Sequence, residues 1–156
     1  MERQYPPFGQ IPGPIAAAPY LVRQTPQAAL SLTAFQVLPS GVLVLLRTST
    51  REPALVDARY SFEAMSADEP TQLQVWVESA PGEESRRVAA NLVNGSRGQD
   101  EGVDARVFTL WFPVDLQAND GPLVLRLEWP EADIVHETVT LEPTDIRAAL
   151  AIAYVP

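Results

Sequence analysis

The chain has 156 residues, 46% of them apolar, and a formal net charge of -9 at pH 7; a chain of this size fits one domain and buries roughly 70% of its unfolded surface without needing disulfides or a structural metal. It contains no cysteine, and all 11 basic residues are arginine, which excludes disulfides, thiolate metal sites, thiol nucleophiles, Schiff-base lysines and a phosphate-loop lysine. The acidic balance argues against a nucleic-acid partner, whose binding needs clustered basic groups.

The excess of alanine, valine, leucine, proline and arginine fits a GC-rich genome. No run reaches the ~18 apolar residues that cross a bilayer, and no basic-then-apolar leader opens the chain. Neither a membrane nor a cofactor is expected, and the cytoplasm is the expected location.

Residues 1–19 hold Pro6, Pro7, Pro12, Pro14 and Pro19 with Gly9 and Gly13. That density forbids helix and disfavours a paired strand, so the segment reads as an extended arm. Tyr5, Phe8, Ile11 and Ile15 are apolar groups that a solvated linker does not need. The arm is therefore a disordered tail, a strap lying on its own domain or a neighbouring chain, or a proline-rich ligand for an aromatic groove.

From Tyr20 onward the period is two. Tyr20 to Val22 reads as a short edge strand closed by Pro26. Between Ala28 and Leu38 the apolar parity changes from even (Leu30, Leu32) to odd (Phe35, Val37) near Ala34, the mark of a β-bulge. After a Pro39-Ser40-Gly41 turn, Val42 to Leu46 is apolar on both faces, as in a strand covered on both sides. Residues 51–70 fit strand and helix templates equally and read as a long connection with one helical turn.

Leu73, Val75 and Val77 alternate with Gln72, Gln74, Trp76 and Glu78, which puts Trp76 on the outward face. An outward tryptophan marks a contact surface or a place covered by a loop or by the arm. Beyond a Pro81-Gly82 turn, Arg86 to Val93 reads as a strand with Val88, Ala90 and Leu92 inward. Asn94 to Asp104 (NGSRGQDEGVD) reads as a surface loop, and Ala105 to Phe112 as a second doubly apolar strand, stopped by Pro113.

The most regular alternation in the chain places Leu123, Leu125, Leu127 and Trp129 on one face and Arg126 and Glu128 on the other. Pro130 ends that strand because it has no N–H to give. The β-branched residues of Ile134 to Leu141 form its antiparallel partner. The period then lengthens to about 3.6, predicting a helix over 143–154 with Pro143 in the first turn, Asp145 near the positive end of the dipole, and Ile146, Ala149, Leu150 and Ala153 as the apolar stripe.

Residues with chemical potential are few. His136, the lone histidine, is the only candidate for imidazole acid–base catalysis, but its neighbour Glu137 points to the opposite face and no serine sits in a G-x-S-x-G elbow. Glu128, Glu131 and Asp133 bracket the Trp129-Pro130 turn like a glycosidase carboxylate pair, without diagnostic spacing. Asp100, Glu101 and Asp104 are hard oxygen ligands suited to Ca²⁺, yet the loop lacks the EF-hand pattern. No catalytic or metal-binding residue is assigned.

The segments Leu32 to Gly41, Trp111-Phe112-Pro113, Gly121-Pro122-Leu123, Glu128-Trp129-Pro130, Glu137-Thr138 and Ile146-Arg147-Ala148-Ala149 carry a resemblance. Over roughly Leu30 to Ala153 the chain resembles a family of uncharacterised proteins from GC-rich Gram-positive bacteria. That family has a further turn of prolines where this chain has Val114 to Asp120. The resemblance supports the topology and implies no activity.

The fold expected is all-β: an antiparallel β-sandwich of about seven to eight strands with one C-terminal helix, in a domain of residues 20–156 behind the arm. The function expected is a non-catalytic protein-interaction or scaffold domain within a protein assembly. Tyr5, Phe8, Ile11 and Trp76 are the expected partner-binding residues, toward another protein or a second copy. A carbohydrate or small-molecule module stacking on Trp76 or Trp111 is the alternative, and a hydrolase dependent on His136 the third reading.

Overall fold

Residues 5–15, 20–51, 60–61, 73–79 and 86–156 are described by the computed structural model. They form, in chain order, β1 (Gly13–Pro14), β2 (Leu21–Gln24), β3 (Ala28–Leu38), β4 (Gly41–Thr50), β5 (Tyr60–Ser61), β6 (Leu73–Ser79), β7 (Arg86–Ala89), β8 (Asn91–Asp100), β9 (Val103–Pro113), β10 (Leu123–Trp129), β11 (Ile134–Leu141) and α1 (Pro143–Ile152). A 3₁₀ turn, Pro130–Ala132, joins β10 to β11.

The strands make two packed sheets, an all-β sandwich. The six-stranded sheet runs β1-β3-β4-β9-β8, with β2 lying end to end with β1 along β3. In the five-stranded sheet the order is β11-β10-β6, with β5 and β7 sharing the far edge of β6. Every pairing is antiparallel except the two-residue contact of β5 with β6. The expectation for residues 51–70 falls outside the described residues apart from Arg51, Tyr60 and Ser61.

The core forms where inward parities meet. Leu123, Leu125, Leu127 and Trp129 of β10 are all buried and join Val42, Val44 and Leu46 of β4 and Phe108, Leu110 and Phe112 of β9 in one cluster. In β3 the register shifts between Thr33 and Phe35, and Ala34 takes φ 55°. This is the bulge that the parity switch predicts; it keeps Leu30, Leu32, Phe35 and Val37 all facing the core.

In α1, Pro143 occupies the first turn with Asp145, and Ile146 and Ala149 are buried while Leu150 packs against the core. The helix lies against β1 and β3. It ends at Ile152 rather than at 154, because Ala153 turns extended and Tyr154 leaves to pair with the arm.

The arm is a paired strap over residues 11–15, against the expectation that its prolines disfavour a paired strand. Ile15 N–H donates to the Phe35 carbonyl at 2.9 Å, and Ile11 and Tyr154 exchange two N–H···O bonds of 2.9 Å each. Main-chain groups alternate sides along an extended chain, so Ile11, Gly13 and Ile15 face inward and Pro12 and Pro14 face out, where a missing N–H costs nothing. Proline spacing of two thus permits the ladder and blunts its outer edge.

Gly13 is required by contact with α1. A Cβ there would overlap the backbone carbonyl of Ala149, and backbone cannot step aside as a side chain can. Gly13→Ala is expected to lift the strap and cost about 1–3 kcal/mol. Amide exchange should accelerate at Ile11 and Ile15, and unchanged protection there would contradict this packing.

Two further expectations are corrected. The segment Asn94 to Asp104 is the hairpin of β8 and β9 rather than a loop, turning at Glu101-Gly102 with φ 50° and 80°, as a two-residue primed turn requires. Leu92 does not point inward but is 36% exposed, because the chain crosses between sheets at buried Ala90 and the register slips between Leu92 and Asn94.

Candidate functional site

The outward face of the five-stranded sheet carries the most developed polar network. Trp76 stands between Arg126 on β10 and Ala89 on β7, and Glu78 stands opposite Arg87. The Glu78 carboxylate lies 2.8 Å from Arg126 Nε and 3.7 Å from Arg87 Nε, and accepts the Trp76 Nε1–H at 3.3 Å. The neighbouring Arg126 does most to hold the Glu78 pKa below the ordinary glutamate range, against the opposing effect of burial. The Arg87 guanidinium sits 5.2 Å from the Trp76 ring centroid, a cation–π contact.

Parity therefore places Trp76 correctly on the outer face, but not on an open one. The residue is only 5% exposed, so the expectation of an accessible Trp76 platform is corrected: its ring lies under Arg87 and its indole N–H is spent on Glu78. Trp111, the other stacking candidate, is fully buried.

His136 occupies a bulge of β11, where the pairing moves from Leu127 with Glu137 to Trp129 with Ile134, and its φ is 57°. Nδ1 lies 3.2 Å from Glu128 Oε1, with the histidine side chain 85% exposed. No serine or threonine hydroxyl bonds the ring among the described residues. Glu137 turns the other way, toward Arg23 Nε at 2.9 Å, and ties β11 to β2 across the sandwich.

The remaining acids do not converge either. Asp133 serves the turn, its N–H donating to the Pro130 carbonyl, and Glu131 is exposed. Asp104, expected as a possible Ca²⁺ ligand, is 2% exposed and clamped between Arg97 Nε at 2.6 Å and Arg106 Nε at 3.0 Å. No group of three or more histidine, aspartate or glutamate side chains able to hold a metal occurs among the described residues.

Two of the larger surface clefts among the described residues bear on the small-molecule reading. One of about 310 Å³ lies between β7 and the 113–119 segment, lined by Arg86, Val88, Val114 and Asn119. The other, about 370 Å³, lies on the outer face of the six-stranded sheet among Val22, Ser31, Arg47 and Val107. Among the described residues, neither is lined by a tryptophan or by an arm residue.

Exposed apolar groups also occur on the two terminal segments that the Ile11–Tyr154 bridge joins. The Ile11–Tyr154 bridge sets those two side chains on one face, and they are 63% and 56% exposed. Phe8 on the arm is fully open to solvent, and Tyr5, Ile152 and Val155 flank the bridge in sequence and are also exposed. Three of the four expected partner-binding residues, Tyr5, Phe8 and Ile11, are thus on the surface. Ile152, Tyr154 and Val155 were missed by sequence reasoning, since only the fold brings the C-terminus beside the arm.

Comparison with protein-family models, curated proteins and solved structures finds no match. Among the described residues, no helix is long and apolar enough to cross a membrane.

Proposed function

We propose that this chain is a non-catalytic interaction domain of a cytoplasmic protein assembly, and that its docking surface is the clasp of the two termini. The observation that carries this reading is the Ile11–Tyr154 bridge between the two termini, with Phe8, Ile11, Ile152 and Tyr154 on the bridged segments each more than half exposed. Leaving such groups in water forgoes about 1.5–3 kcal/mol for each side chain that a partner could cover. The two reciprocal main-chain bonds of the bridge hold Ile11 and Tyr154 in place, so part of the ordering cost of association is met before the partner arrives.

The double variant Phe8→Ser, Tyr154→Ser tests this. Both side chains are exposed, so the melting temperature should stay within about 2 °C of wild type. A partner recovered stoichiometrically with the tagged wild-type chain from its native cell should be lost with the variant. Recovery of the same partner with undiminished yield would refute the clasp as the docking surface.

A further inference from the structure

The sheet edges are not treated alike. At one side of the six-stranded sheet, Pro12 and Pro14 blunt the strap beside β3, and β2, which continues that edge, has only four residues. In the five-stranded sheet, β7 has only four residues and β11 is broken by the bulge at His136. The remaining edge, β8, is ten residues long, carries neither proline nor lysine, and has no strand on its outer side among the described residues. Natural sheets normally guard such an edge.

Its main-chain groups are available in a regular pattern. Asp100 and Val103 close the two-residue turn, so even-numbered residues of β8 bond to β9 while Gly95, Arg97 and Gln99 turn their N–H and C=O groups outward. Residues 92–100 are exposed throughout.

We infer that this edge pairs with the same edge of a second copy of the chain, antiparallel about a two-fold axis at Ser96. The inference goes beyond the proposed docking at the termini and uses a different surface. A two-fold normal to the sheet requires facing residues to share a face, which leaves three central registers for Asn94 to Asp100. Centred on Arg97, two long arginines meet at one position; each is bonded to its own Asp104, and the crowding of two cationic side chains still disfavours the register. Centred on Gly98, glycine faces glycine and nothing packs.

Centred on Ser96, Arg97 faces the partner copy's Gly95, Asn94 faces its Gly98, and the two serine hydroxyls meet. Arg97 and Asn94 each then stand opposite a residue that has no side chain, so Arg97 keeps its bond to Asp104 without a clash across the axis. The outward pattern supplies about four main-chain hydrogen bonds, from the N–H and C=O groups of Gly95 and Arg97 in both copies. The net charge of -9 on each copy opposes association in general, but β8 itself is balanced, holding one arginine and one aspartate, Arg97 and Asp100.

The absence of cysteine from the chain allows a register-specific test. At a non-hydrogen-bonded antiparallel pair the Cα atoms stand about 4.5 Å apart, within the ~4.4–6.8 Å span of a disulfide. Ser96→Cys should therefore form a disulfide-linked dimer under mild oxidation. Gly98→Cys should do so at least tenfold less, since its symmetry mate lies about 13 Å away along the strand. Ser96→Lys, which sets two cations at the axis, should remain monomeric in sedimentation equilibrium where wild type shows a concentration-dependent doubling of mass, with its melting temperature unchanged.

Equal or greater crosslinking of Gly98→Cys, a wild-type mass that stays monomeric at all concentrations, or a dimer that survives Ser96→Lys would each overturn the inference. Adding Phe8→Ser and Tyr154→Ser should leave the Ser96→Cys crosslink intact, so failure at the termini and failure at β8 are read separately.

Discussion

Replacing Trp129 with alanine is expected to cost about 3–5 kcal/mol, the range for a fully buried tryptophan whose site cannot collapse. Trp129 is 0% exposed and closes the inward face of β10, opposite Ile134 across the turn. Its ring belongs to the cluster shared by both sheets and α1, so truncation opens a void that several rigid strands would have to move to fill. Against a typical total stability of roughly 5–15 kcal/mol, this is a large fraction of what holds the domain folded, and the urea midpoint should fall sharply. Urea titration measures this directly, with Phe8→Ala as the control: a fully exposed phenylalanine should change stability by about 0.5 kcal/mol or less. A loss under about 1 kcal/mol for Trp129→Ala would mean that this ring is not a keystone of the core.

The second large effect is expected at Asp104. Burial pushes its pKa up, while the hydrogen bonds from Arg97 and Arg106 together pull it down further, so the net shift is below the ordinary aspartate range. Asp104→Ala is expected to cost on the order of 2–3 kcal/mol, as two charge-assisted hydrogen bonds vanish and Arg106, with its side chain 14% exposed, loses a paired anion. Arg97 is half-exposed and can rehydrate, which keeps the figure below that of a fully buried ion pair.

The same geometry fixes the sign of the pH response. A carboxylate whose pKa is lower folded than unfolded adds stability that is fully present above the unfolded value, near pH 4, and is lost as pH falls through the folded one. Glu78 acts in the same direction, with a smaller effect because Arg126 and Arg87 are solvent-accessible. Wild type should therefore lose stability steeply below about pH 4, and Asp104→Ala should show a shallower acid limb. Parallel acid limbs would show that the clamp on Asp104 contributes nothing to folding.

Much of the architecture is legible in the residues because each buried face leaves a period. Leu123 to Trp129 alternates because one face of β10 meets the core, the parity switch at Ala34 marks the bulge, and Ile146 and Ala149 mark the buried stripe of α1. The sequence is silent where burial is absent. β8 is exposed along nearly its whole length, so Asn94 to Asp100 carries no apolar alternation and resembles a loop until its pairing with β9 is seen. The strap is obscured for a different reason: proline content suggests an unpaired chain, and only the inward bonds of Ile11 and Ile15 reveal that every second residue suffices for a one-sided ladder.

The candidate surface divides in the same way. Tyr5, Phe8 and Ile11 stand out because apolar groups among prolines have no evident core to join, whereas Ile152 and Tyr154 fall inside the predicted helix 143–154 and off its apolar stripe. Alternation assigns Trp76 a face but says nothing about what lies above that face; the covering Arg87 comes from β7, and the Pro81-Gly82 turn expected before it lies outside the described residues.

Hydroxyl-radical footprinting of the chain in its native cell extract, compared with the purified protein at the same concentration, tests the proposed role most directly. Phe8, Ile11 and Tyr154 should be modified rapidly in the purified protein and protected several-fold in the extract, while exposed Val135 on β11 reacts equally in both. Equal modification of Phe8, Ile11 and Tyr154 in extract and in isolation would contradict a partner seated on the clasp.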